Sequence, residues 1–231
     1  MLTYEFVEVA DLENVPYSTP GMQFLSASYT GLPRFALTLY DYYGHDLYNT
    51  MGLRTAYTIA SGEAWKTEFK AAYSGQQDVG RFDSEGGGEV DSDVLDLAVL
   101  FTFHDLNVEP GYFKVFGDGP ENDYLTPFRT RFTVDPLLMW FARVFRGGSD
   151  SFYLKSTYQW RSTSFYCLYV LTQTADFIDG GALDQEVNLV VSHQWGPHWK
   201  VTGKAGYAVQ GIKEEPDRAQ NDLRLFVTFL F

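Results

Sequence analysis

The stretch Asn221-Asp222-Leu223-Arg224-Leu225-Phe226-Val227-Thr228-Phe229-Leu230-Phe231 changes character every second residue. Leu223, Leu225, Val227, Phe229 and Phe231 share one face. Asp222, Arg224 and Thr228 share the other, with Phe226 and Leu230 among them. A period of two is the signature of a β-strand, because successive side chains point to opposite sides. Roughly 9–11 residues is also the length of a tilted strand that crosses a bilayer. A half-buried strand of a soluble protein has the same pattern, so the remainder of the chain has to decide.

Working outward, the pattern recurs. Twelve candidate strands fall at about 2–9, 22–30, 34–43, 47–60, 64–76, 91–104, 108–118, 150–161, 164–174, 184–195, 198–211 and 221–231. Gly, Pro, Asn, Asp and Ser punctuate the joins, and no interior helix separates the strands. The joins alternate in length. Gly31-Leu32-Pro33, Ser61-Gly62-Glu63, Asp105-Leu106-Asn107, Ser162-Thr163 and Gly196-Pro197 are short. Those between them, about 10–21, 77–90, 119–149, 175–183 and 211–220, are long, and only Gly44-His45-Asp46 breaks the series. Membrane barrels have short periplasmic turns and long outer loops. Keeping that alternation places the apolar run 136–146 inside the long loop 119–149, as a short helix or an inward-folded segment. The reading is a single all-β domain over 1–231, an antiparallel transmembrane β-barrel with about twelve strands.

Composition is compatible with this. Aromatic residues make up 17% of the 231, as interfacial girdles require. No apolar run reaches the roughly 18 residues of a membrane helix, which is uninformative for strands whose faces alternate. The single Cys167 excludes an intrachain disulfide and a cysteine metal cluster. A formal charge of −13 disfavours nucleic acid as a partner. The chain opens on strand-like Met1-Leu2-Thr3-Tyr4 with no leader, so it reads as a mature form or a piece lacking its start.

Within strands, the apolar face is assigned to lipid and the charged face to the lumen, since Arg or Lys facing lipid costs roughly 2–4 kcal/mol near the midplane. This makes Arg54, Lys66, Lys70, Lys114, Lys155, Arg161, Lys200, Lys204 and Arg224 candidate pore-lining residues. About four acids, Glu68, Asp96, Glu186 and Asp222, are expected to face them. Strand 164–174 resists assignment, because Phe165, Tyr169 and Leu171 compete with Tyr166, Leu168 and Val170. The loop 119–149 supplies candidate constriction residues Tyr124, Arg129, Arg131, Asp135, Arg143 and Arg146. Two readings stay open. The bases select anions, as rings of Arg and Lys do in pores, or they pair with inward acids and plug a small structural barrel. Removing Lys70, Lys155 and Lys204 together is expected to lower anion preference and leave the barrel folded. Outer acids such as Asp78, Asp83, Glu85, Glu89, Asp91 and Asp93 flank long loops.

No catalytic or metal site emerges. His45, His104, His193 and His198 form no H-E-x-x-H, and there is no G-x-S-x-G. His193 falls on the lipid-facing side, but Ser192 beside it points the other way, so no lipid-facing His–Ser pair forms there. No enzyme activity and no cofactor are expected.

Two segments carry a resemblance. L-T-L-Y-D-Y-Y-G-H-D-L-Y-N-T (37–50), followed by A-W-K-T-E-F-K-A-A-Y-S (64–74), resembles the middle of substrate-specific outer-membrane porins of the OprD type. G-Y-F-K-V-F-G-D-G (111–119) before a long loop resembles that family and the alginate-export-type barrels. The terminal aromatic is similar to the C-terminal signature of bacterial outer-membrane barrels. The resemblance implies an eighteen-stranded barrel with a basic lumen and a loop-built eyelet. It implies passive, facilitated diffusion of small carboxylate-bearing or anionic solutes in a Gram-negative outer membrane, with lipid and lipopolysaccharide as neighbours. This chain has room for about twelve strands. It is then the C-terminal part of such a porin, or a complete twelve-stranded channel like the oligogalacturonate and sialic-acid porins. A homo-oligomer is compatible with either, and a soluble β-sandwich binding protein is the competing fold.

Overall fold

The computed structural model describes residues 21–62, 64–81, 89–117, 119–125, 141–175, 181–211 and 218–229. Among these residues eleven strands form one antiparallel sheet in which each strand pairs with its sequence neighbours. They are β1 (Met22–Tyr29), β2 (Phe35–Gly44), β3 (Tyr48–Ser61), β4 (Trp65–Asp78), β5 (Asp91–Phe103), β6 (Leu106–Val115), β7 (Asp150–Trp160), β8 (Thr163–Gln173), β9 (Leu183–Trp195), β10 (Trp199–Gln210) and β11 (Arg218–Phe229). A β-sandwich would divide its strands between two sheets, so the competing fold is ruled out. The candidate strand 2–9, Leu230 and Phe231 lie outside the described residues. Among the described residues β1 and β11 are not paired with each other.

Each register follows from alternation. β10 pairs with β11 from Trp199↔Phe229 to Gln210↔Arg218, so Lys204 sits opposite Arg224 and Ala205 opposite Leu223. A one-residue slip would turn every apolar side chain to the wrong face. On the outward face Leu25, Met51, Leu53, Leu154, Leu223 and Leu225 stand exposed, Leu223 at 84%. A continuous apolar surface of this kind is unsuited to water and suited to lipid. At the short-turn edge the outward face ends in aromatic pairs, Trp65 opposite Phe103 and Trp199 between Trp195 and Phe229. At the long-loop edge it ends in tyrosines bonded to polar partners: Tyr73 Oη donates to Asp93, 2.7 Å, and Tyr112 Oη to Asp150. Amphipathic rings belong at both boundaries of a bilayer.

The core lies on the inward face. Val94, Phe113, Val115, Leu168 and Val170 pack against Tyr124, Val144 and Phe145 of the long loop after β6. Two short 3-10 turns, Pro120–Asn122 and Phe141–Phe145, form the described ends of that loop. They are tied together by the Tyr124 amide donating to the Phe145 carbonyl, 2.7 Å. One end reaches β4, where Tyr124 Oη lies 3.1 Å from Ser74 Oγ. The other reaches β9, where Arg143 Nε lies 3.0 Å from Asp184 Oδ2. In a flat sheet those strands would stand about 24 Å apart, five spacings of roughly 4.8 Å. The sheet therefore curls around the loop.

Candidate functional site

The inward face is built by strands whose polar residues fall at every second position. Its middle is a charge cluster. Glu109 on β6, only 2% exposed, receives Lys70 Nζ from β4 and Lys155 Nζ from β7, each at 2.6 Å. Register explains the second contact, since Glu109 and Lys155 are cross-strand partners. Beside it, Tyr153 Oη donates to Asp96 Oδ1, 2.8 Å. Tyr153 lies over Gly111 and Tyr40 over Gly52, where a Cβ would overlap the ring in each case. Toward the short-turn edge Lys66 pairs with Glu68. Arg224 Nε lies 2.5 Å from Asp222, and Lys204 Nζ sits 5.4 Å from the centre of the Phe226 ring. Lys200 is exposed at the end of β10.

Two of the expected pore-lining residues are elsewhere. Lys114 belongs to the outward set of β6 with Tyr112, beside Phe116 just past the strand's end, and its Nζ binds Asp150 at 3.0 Å. The inward set there is Glu109, Phe113 and Val115, all buried. The polar-in rule inverts at this edge, because the loop covers the inward face and the outward face meets the interfacial zone. Arg161 follows the last residue of β7, in the turn, with φ 52° and its guanidinium 5.7 Å from the Trp160 ring centre. The acids are also more numerous than the expected four. Asp78, Glu109 and Asp184 share the inward parity with Glu68, Asp96, Glu186 and Asp222. The expected large excess of bases is absent from the described inward strands.

The constriction candidates divide in the same way. Tyr124 and Arg143 are buried. Arg143 donates also to the Gly211 carbonyl, 3.4 Å, and to Thr174 Oγ1, 3.5 Å, so it anchors the loop. Arg146 is held by Asp123, whose other oxygen accepts the Gly147 amide at 2.9 Å. Gln76 clamps the first leg, accepting from the Leu125 amide at 2.8 Å and donating to the Leu125 carbonyl at 3.0 Å. Arg129, Arg131 and Asp135 lie outside the described residues. His193 faces outward beside its cross-strand partner, Thr163 Oγ1 2.8 Å from Nδ1, while Ser192 turns inward to Thr202 Oγ1, 2.9 Å.

Sequence reasoning missed a cleft of about 200 Å³ on the inward side of β2, β3 and β4. Ala36, Thr38, Arg54, Ala56, Lys70 and Ala72 line it. These residues meet by register: Thr38 opposite Arg54, Ala36 opposite Ala56, Ala56 opposite Lys70 and Arg54 opposite Ala72. Small residues at alternate positions on three adjacent strands were the signal. On the far side of Arg54 from this floor, its guanidinium lies 5.1 Å from the centre of the Tyr40 ring, which continues to Tyr42 and Phe24.

A curled, single antiparallel sheet, apolar outside and polar inside, with a loop anchored in its concavity, is the architecture of a transmembrane β-barrel wall. Comparison with solved structures agrees. The chain shares its fold with OccAB4 of Acinetobacter baumannii, at 16% identity and a TM-score of 0.73, over 92% of this chain and 54% of that one. OpdL of Pseudomonas aeruginosa matches at 20% identity and 0.70, over 93% and 59%. The outer membrane protein OprD of Pseudomonas aeruginosa matches at 18% and 0.67, over 93% and 60%. The chain thus spans a little over half the length of these porins. No family model matches it, and no curated protein matches it by sequence.

Proposed function

We propose that this chain forms the wall of an outer-membrane channel for passive diffusion, and that its solutes are small and carry a carboxylate. The observation that carries the channel reading is the two-sided sheet with Tyr124 and Arg143 holding a loop across its concave face. A loop so placed narrows an opening without needing a moving part. The solute reading rests on local bases rather than on mean charge, because inward acids match the inward bases along the described strands. Lys200 and Lys204 stand on the inward wall with no carboxylate partner among the described residues, and the Arg54 guanidinium lies on the same face, 5.1 Å from the centre of the Tyr40 ring. Guanidinium and ammonium groups on a low-dielectric wall concentrate anions. Planar-bilayer recording of the purified protein tests both parts. Stepwise ohmic conductance with anion preference at low salt is expected, weakening near 1 M, where the screening length is about 3 Å. Absence of conductance steps would sink the channel, favouring the plugged reading; cation preference would sink the solute class.

A further inference from the structure

We infer that the inward wall beside the long loop binds uncharged cyclic sugars, on an aromatic shelf made by Phe24 of β1 and Tyr42 of β2 and flanked by serine hydroxyls. The inference goes beyond the channel reading by adding a neutral solute class, and binding at the shelf can be measured without conduction.

Phe24 breaks the rule of its face. It stands opposite Tyr42, Tyr42 opposite Thr50 and Thr50 opposite Gln76, so the four form one row of the inward wall. Polar side chains belong on that face, yet the Phe24 ring is there and 57% exposed. Its centre lies 4.4 Å from that of Tyr42, with the planes inclined by 30°, and Tyr42 meets Tyr40 at 5.7 Å, edge to face. Tyr40 is buried and seated over Gly52. Each ring is thus backed by the next, and the outermost presents a supported aromatic surface to the lumen. The row also sits level with the loop, because Gln76 at its end holds both the amide and the carbonyl of Leu125. A solute passing the loop on this side passes the shelf.

The surroundings choose the ligand. Among the described inward positions of β1, β2 and β3, Arg54 is the one charged side chain, and it stands opposite Thr38, with its guanidinium 5.1 Å from the centre of the Tyr40 ring. The inward neighbours of Phe24 along β1 are Ser26 and Ser28, both exposed. The face of an aromatic ring is negative and attracts the slightly positive axial C–H groups of a pyranose. Hydroxyls donate and accept, as the rim of a sugar requires. A phenyl solute would stack equally well but would cover the serine hydroxyls without bonding them, at a cost. An uncharged sugar also leaves no ion to desolvate against the rings.

The experiment is equilibrium binding to the full chain in a polyoxyethylene detergent, which carries no sugar headgroup, read by saturation-transfer NMR. The probes are methyl β-glucopyranoside and glucitol, both uncharged and rich in hydroxyls; only the first has a rigid face of axial C–H groups. The glucoside is expected to bind, with saturation strongest on its axial ring protons, and glucitol to bind at least about fivefold more weakly. Phe24→Leu keeps apolar bulk against Tyr42 but removes the ring, and is expected to weaken the glucoside about fivefold, the scale of one aromatic contact. Phe24→Tyr keeps the ring and is expected to bind within about twofold of wild type. No glucoside binding, equal affinity for the two probes, or a Phe24→Leu variant that binds as wild type does would overturn the assignment and leave Phe24 as wall packing. Absence of conductance steps with glucoside binding intact would overturn the channel reading instead and leave the shelf standing.

Discussion

Arg143 in the long loop and Asp184 on β9 meet Nε to Oδ2 at 3.0 Å, with 10% and 1% of their side chains exposed. This pair ties a loop to a wall strand about 40 residues further along the chain. Truncation to Arg143→Ala would leave a buried carboxylate without its cation, a loss of about 3–5 kcal/mol. The loop then lifts from β9, though Val144 and Phe145 still pack on β6. Single-channel conductance is expected to rise, and protease cleavage within 119–149 to accelerate. Unchanged conductance and cleavage would mean that apolar packing alone holds the loop.

The joint removal of Lys70 and Lys155 is expected to unfold or weaken the wall. Sequence patterning treats both as free pore cations, removable with Lys204 at no cost to folding. In the structure they share Glu109, which is 2% exposed. Lys70→Met alone leaves Lys155 in place, and the converse holds. The double variant strands the carboxylate, so its loss exceeds the sum of the singles by about 1–3 kcal/mol. Adding Glu109→Gln should recover much of it. Urea unfolding in lipid vesicles measures this; simple additivity, with no rescue by Glu109→Gln, would argue against the shared partner.

The difference between these two readings of Lys70 shows where the sequence stops being legible. Strand positions and the alternation of long and short joins follow from backbone periodicity and turn chemistry, which are local. The faces of β4 and β10 follow too, because their lysines can only avoid lipid by turning inward. β6 and β8 are different. Their inward residues near the long loops, Phe113, Val115, Leu168 and Val170, are apolar because the loop covers them. Neither strand contains that information on its own. Lys114 is consequently placed on the wrong face, and β8 is left undecided. Partner choice is likewise non-local: Glu109 gains its two lysines from strands that only the sheet brings alongside it.

Gly111→Ala is expected to destabilise the sheet by about 1–3 kcal/mol, as overpacking does. The Tyr153 ring occupies the space above Gly111, and a methyl there would drive the ring away. Its hydroxyl would then lose Asp96, which is 2% exposed. Tyr153→Phe removes the same hydrogen bond without moving the ring, so the two variants separate packing from bonding. A Gly111→Ala midpoint equal to wild type in thermal gel-shift assays would show that the ring relocates freely.

Leu225 tests the orientation of the whole sheet. It lies on the outward face, 72% exposed, opposite Gly203 of β10 and four residues before Phe229. Four residues of a strand tilted about 40° cover roughly 10 Å along the membrane normal, close to the midplane of a band about 25 Å tall. Leu225→Arg would put a guanidinium there, at a cost of roughly 2–4 kcal/mol. Thr202→Arg, on the neighbouring strand but the inward parity, would lose only the contact with Ser192 and should fold nearly as well as wild type. The comparison is made by reversible urea unfolding in bilayers, with the same charge added in both variants. If Thr202→Arg were the damaging change, the face assigned to lipid would be the face that meets water, and the channel reading would fall with it.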